Sequence, residues 1–153
     1  MGLTGVHHTG ITVSNLDRSL AFYRDLLGIK VVAQQVGTAP YLSTITGFPG
    51  VQLKVAFLKA EENSEHVLEL LEYTSHPAGP QDTATNRPGN CHLCFKVEGI
   101  WDLYERLRAQ GVVFKSAPAV VTAGVNKGGY SVYLLDPDGV TLELFQPPSS
   151  PEM

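Results

Sequence analysis

A chain of 153 residues, 43% hydrophobic and 17% charged, is long enough to bury a core as one domain and too apolar for disorder to dominate. The formal net charge of -4, with no cluster of Lys or Arg, excludes the electrostatic footprint of a nucleic-acid binder. Apolar runs such as Val55 to Leu58 and Val132 to Leu135 are far too short to span a bilayer, and no signal pattern opens the chain, so a cytoplasmic protein with no membrane partner is expected.

The first predicted element runs from Val6 to Val13, a β-rich stretch placing Ile11 and Val13 on one face and His8, Gly10 and Thr12 on the other. Ser14 to Asp17 supplies helix-cap chemistry, and Leu16, Leu20, Tyr23 and Leu27 recur at helical spacing until Gly28 stops them. Strands are predicted at Lys30 to Gln35, Gln52 to Lys59 and His66 to Tyr73, the first two separated by a loop bearing Gly and Pro. The order is βαβββ.

Thr74 to Gly89 holds prolines and glycines without apolar periodicity and reads as a linker. Beyond it the pattern restarts. Cys91 to Val97 alternates, Trp101 to Gln110 is helical with Gly111 as its stop, and strands follow at Val112 to Lys115, Tyr130 to Leu135 and Val140 to Gln146. Between the last two, Asp136-Pro-Asp-Gly139 is a strong hairpin-turn signal.

This second βαβββ run is a repeat of the first. His8-x-x-Ile11-x-Val13 aligns with His92-x-x-Phe95-x-Val97, 84 residues later, and each is followed by a helix ending in Gly and a β-branched residue. The expected fold class is α+β: a single domain over residues 1–153, with module one at 4–75, a linker at 76–89 and module two at 90–148. The two modules are expected to form a half-open mixed β-barrel cup with the helices outside.

Alternation then selects the side chains that face the hollow: His8, Gly10 and Thr12; Val67, Glu69 and Leu71; His92, Cys94 and Lys96; Thr141, Glu143 and Phe145. Their neighbours, among them Ile11, Leu68, Leu70, Phe95, Leu142 and Leu144, are apolar, as a helix-covered face requires. Each repeat thus offers one His from its first strand and one Glu from its last. A single strand histidine is more often a rim or core residue than a ligand, and a single strand glutamate is usually solvated. What separates His8, Glu69, His92 and Glu143 from that reading is their equivalence across two repeats, which His7, His66 and His76 lack. Two imidazoles and two carboxylates suit one divalent ion: Zn, Ni, Co, Mn or Fe(II).

Cys91 and Cys94 form a C-x-x-C pair, but they flank His92 in a strand-like segment rather than opening a helix, so two reduced thiols in or near the core are expected rather than a redox pair. Thr122 to Tyr130, rich in Gly, reads equally as a flap over the site or as a surface loop. Tyr130, Lys127 and Tyr133 are candidate substrate contacts; Tyr41 and Arg87 are further ones that the sequence alone does not place.

The stretch His8-Thr-Gly-Ile-Thr-Val-Ser-Asn-Leu-Asp-Arg-Ser-Leu-Ala-Phe-Tyr-Arg-Asp-Leu-Leu-Gly28, with His92-Leu-Cys-Phe-Lys-Val97 and Asp136-Pro-Asp-Gly-Val-Thr-Leu-Glu-Leu144, resembles the vicinal oxygen chelate superfamily. That superfamily includes glyoxalase I, methylmalonyl-CoA epimerase, extradiol dioxygenases and the bleomycin and fosfomycin resistance proteins. The resemblance covers nearly the whole chain. It implies a cup of paired modules, a metal at the positions of His8, Glu69, His92 and Glu143, and a homodimer.

The full His/Glu/His/Glu set resembles the isomerising branch, a metal-dependent lyase or isomerase of the glyoxalase I or epimerase type. Such enzymes act on a small substrate chelated through adjacent oxygens, with the metal stabilising an enolate. Glu143 is the first candidate for the base that moves a proton α to a carbonyl, and Glu69 the second. An Fe(II) extradiol, ring-cleaving dioxygenase using His8, His92 and Glu143 is the alternative. A third reading is a non-catalytic antibiotic-binding resistance protein. Unclustered arginines argue against glutathione or coenzyme A thioesters as substrates.

Overall fold

The computed structural model describes residues 1–149 and divides into two compact units, Met1–Pro80 and one beginning at Gln81. In the first unit, β1 (His8–Thr12) leads into α1 (Leu16–Leu20), followed by β2 (Lys30–Gly37), α2 (Pro40–Thr46), β3 (Leu53–Lys59) and β4 (Val67–Tyr73). The sheet runs β1-β4-β3-β2, with β1 parallel to β4 and the other pairs antiparallel. The second unit repeats this plan. β5 (Leu93–Lys96), α3 (Ile100–Ala109), β6 (Val113–Phe114), β7 (Ala119–Val120), β8 (Tyr130–Leu135) and β9 (Thr141–Gln146) form a sheet ordered β5-β9-β8-β6, with β7 also on β8 and β5 parallel to β9. The architecture is α+β, in two open sheets.

Strand alternation puts the core where the sequence pattern requires. Ile11, Val13, Ala56, Leu58, Leu68 and Leu70 are buried in the first unit, on the side that receives α1. Beyond Leu20 that helix widens into a π-helical turn over Ala21–Leu26, where Leu27 N–H reaches the Phe22 carbonyl five residues back. The wider turn lets the consecutive Phe22 and Tyr23 both be buried, with their rings edge to face at 5.0 Å. In the second unit Ile100, Tyr104 and Leu107 of α3 are buried with Val132, Leu134, Leu142 and Leu144.

The stretch expected as a loop after β2 contains α2. Pro40 starts this helix at its first turn, where a missing N–H costs nothing. Its Leu42 packs on the apolar cluster of Val51, Leu53 and Val55 together with Phe57, Leu71 and Tyr73. Seven residues with one anchoring side chain give too little periodicity to read. The later part of the expected linker is tied down as well: Thr83 Oγ1 donates to the Gly139 carbonyl at 2.6 Å, and Asn90 Nδ2 donates to the carbonyls of Asp82 and Ala84. Gly139 closes the β8–β9 hairpin at φ 83°, while Asp136 Oδ1 accepts from the N–H groups of Asp138 and Val140. Among the described residues no helix is long and apolar enough to cross a membrane.

Candidate metal half-sites

In the first unit, the register places Gly10 of β1 and Phe57 of β3 directly beside Glu69 of β4, one on each side. His8 is therefore the diagonal neighbour of Glu69 on the same face, within reach of a long side chain. Its Nε2 lies 3.2 Å from Glu69 Oε2. Gly10 adds no side chain between them. His7 turns its Nδ1 to that of His8 at 2.9 Å, whereas His66 bonds Thr9 and His76 bonds Ser75.

The second unit reproduces the geometry. Cys94 of β5 and Tyr133 of β8 pair directly with Glu143 of β9, and His92 reaches Glu143 diagonally, Nε2 to Oε2 at 3.0 Å. Three features have no counterpart in the first unit. Ser131 Oγ donates to Glu143 Oε1 at 2.6 Å. The Tyr133 ring stacks obliquely on His92, centroids 5.0 Å apart. Cys94, exposed like Cys91 rather than lying in the core as expected, stands where the first unit has Gly10, and partial desolvation, reinforced by the charge of Glu143, pushes its thiol up to about 12. Partial burial and the same carboxylate raise the Tyr133 phenol.

Both glutamates are 18% exposed and both imidazoles more open, at 49% for His8 and 38% for His92. A largely shielded carboxylate needs a cationic partner. Among the described residues neither glutamate has a Lys or Arg partner, and the one side chain beside each that can carry positive charge is its histidine. Nitrogen and oxygen donors facing one another, with no fixed cation between them, suit a borderline divalent ion. Each unit by itself gathers two of the four expected ligands, and among the described residues no group of three or more His, Cys, Asp or Glu is drawn together.

The other candidates lie elsewhere. The Tyr130 ring meets Trp101 of α3 at 6.3 Å, and its ladder partner Gln146 also faces α3, so Tyr130 belongs to the sheet face opposite Glu143. Lys127 is exposed in the loop after β7, which is closed by paired bonds between Val121 and the backbone of Gly128 and Gly129. Ser131 was not singled out from sequence, although it shares the face of Tyr133 in the alternation of β8.

The sequence model of the glyoxalase/bleomycin resistance protein/dioxygenase superfamily matches residues 5–144. The chain belongs to that superfamily. A relative, the lactoylglutathione lyase GLX1 of Arabidopsis thaliana, is 27% identical over 146 residues, which make up 95% of this chain but only 45% of the relative's length. The 2-epi-5-epi-valiolone epimerase of an Actinomyces species is 28% identical over 152 residues, covering 97% of this chain and 82% of the epimerase. A glyoxalase family protein from Bacillus cereus has the same fold, with a TM-score of 0.82 over 97% of each chain at 18% identity. Within the superfamily, each module of this chain contributes one strand-borne His–Glu pair.

Proposed function

We propose that the chain is a divalent-metal-dependent isomerase or lyase of the glyoxalase I or epimerase type, acting on a small substrate through two adjacent oxygens. The observation that carries this reading is the repeated diagonal pair, His8 with Glu69 at 3.2 Å and His92 with Glu143 at 3.0 Å. His8, Glu69, His92 and Glu143 would together hold one ion, two donors coming from each module. Such an ion supplies a Lewis acid that polarises a carbonyl and so acidifies the neighbouring C–H.

The chain's own residues do the remaining work. Glu143 takes the proton from the carbon beside the carbonyl and returns it to the adjacent carbon; inversion of a single carbon needs a second acid on its other face, and Glu69 is the residue for that role. Phe57 and Leu71 beside Glu69, with Tyr133 and Phe145 beside Glu143, give the carboxylates apolar and aromatic neighbours. That lining favours a compact, weakly charged substrate body over a polyanionic carrier. Relatives named lactoylglutathione lyase and epimerase support proton transfer next to a carbonyl as the shared chemistry.

The test is solvent exchange. Metal-loaded protein in deuterated water is offered 2-hydroxyaldehydes, 2-hydroxyketones and the hemithioacetal of methylglyoxal with glutathione. Deuterium entering at the carbon next to the carbonyl, lost on chelation and in Glu143→Gln, is the expected result. Ring cleavage of a catechol with Fe(II) in air, without such exchange, would replace this reading with the dioxygenase. Inertness in both assays would leave a binding protein.

A further inference from the structure

The two carboxylates are equivalent in the repeat but not in their surroundings. In the first unit Val55 pairs with Leu71 and Phe57 with Glu69. In the second, Ser131 pairs with Phe145 and Tyr133 with Glu143. Ser131 therefore stands where Val55 stands, two residues from the strand position opposite the glutamate. The hydroxyl makes a 2.6 Å hydrogen bond to Glu143 Oε1, a short charge-assisted contact, while Oε2 faces His92. Among the described residues, the side-chain contact of Glu69 is the one from Oε2 to His8.

We infer that Ser131 is a positioning residue that tethers Glu143 by Oε1, so that Oε2 alone is presented to the ion and to the substrate proton; this rests on the metal-dependent reading above. A carboxylate with both oxygens free can bind an ion through either or both and can rotate about its last bond. Holding one oxygen removes that freedom and keeps Oε2 on the side of His92. Partners of this kind orient a ligand and strengthen the site without touching the ion. Val55 cannot do this, so Glu69 is left untethered and the two halves of the site are functionally unequal.

The experiment uses the full chain stripped of metal and titrated with Co(II), in the wild type and in Ser131→Ala, Ser131→Val and Ser131→Thr. Affinity comes from competition with a chromophoric chelator, and coordination from the visible Co(II) spectrum. Ser131→Val makes the second module resemble the first, and Ser131→Thr restores the hydroxyl on a residue that suits a strand. The expected result is a Kd raised about 10- to 100-fold in the Ala and Val variants, with an altered spectrum, and recovery in the Thr variant. In the exchange assay at saturating Co(II), kcat falls more than KM rises. Far-ultraviolet circular dichroism identifies any variant that has lost its fold, and the Thr variant then decides. Ala and Val variants with wild-type affinity and spectrum would overturn the tether alone. A wild type that takes up no Co(II) would overturn the metal reading and the tether with it.

Discussion

Glu72 and Gln146 perform the same task in the two units: each lies three residues beyond a site glutamate and accepts the first backbone N–H of the helix in its own unit. Leu16 N–H reaches Glu72 Oε2 at 2.8 Å, and Ile100 N–H reaches Gln146 Oε1 at 2.8 Å. An orphan donor at a helix start is thereby satisfied from the strand that carries the ligand, which fixes helix and glutamate together. Glu72→Ala and Gln146→Ala are each expected to cost about 1 kcal/mol of stability, within the usual range for a lost cap. Urea unfolding followed by circular dichroism measures both. For Gln146→Ala, fluorescence of Trp101 on α3 gives an independent reading.

Burial and the charge of Glu143 raise the Tyr133 phenol, so it should ionise later than an ordinary tyrosine. Phenolate absorbance of the metal-free protein should contain a late component above the ordinary value of 10.0, absent in Tyr133→Phe. Glu143→Gln removes a negative neighbour, eases formation of the anion and shifts that component to lower pH. The shifted group favours folding below the unfolded-state value and loses that contribution as pH rises through the folded one.

Cys94 carries the larger displacement, to about 12 from 9.0, with burial first and Glu143 second among its causes. Reaction with an alkylating agent requires the thiolate. Mass spectrometry of metal-free protein should therefore find Cys94 alkylated slowly at mildly alkaline pH. Glu143→Gln should accelerate it several-fold, because loss of the neighbouring charge lowers the barrier to ionisation. Equal rates in the two proteins would mean that the carboxylate does not act on the thiol.

Gly129 is buried under the last strand, and a Cβ there would stand 2.7 Å from the Gln146 carbonyl oxygen and 3.0 Å from the Phe145 ring. Backbone cannot step aside as a flexible side-chain end can. Gly129→Ala should destabilise the chain by about 1–3 kcal/mol, the usual cost of overpacking, measured as a drop in unfolding midpoint. Gly124→Ser, in the same loop with open space around it, is a milder change despite its φ of 78°.

The pairing of each histidine with its glutamate was legible because strand alternation and duplication report on facing. The period of two separates Glu69 from Leu68 and Leu70, and the 84-residue match picks out His8 and His92 from the other histidines. Periodicity fails where elements are short or interactions are remote. α2 spans seven residues, and β7 only two. The π-helical turn depends on burying Phe22 and Tyr23 together, which a regular helical count does not anticipate. Ser131 lies 12 residues from Glu143, and its meaning rests on which residues stand opposite one another across β8 and β9. Tyr130, a candidate substrate contact, falls on the α3 side because it is one residue out of phase with Ser131 and Tyr133.

The most direct test of the central claim is the metal content of purified protein beside His8→Ala, Glu69→Gln, His92→Ala and Glu143→Gln. A four-ligand site predicts one divalent ion per chain in the wild type and at least roughly tenfold weaker retention in every one of the four variants. Full metal content in Glu69→Gln would contradict it and leave the three-ligand arrangement of a dioxygenase, and a wild type without stoichiometric metal would contradict the metal-dependent account altogether.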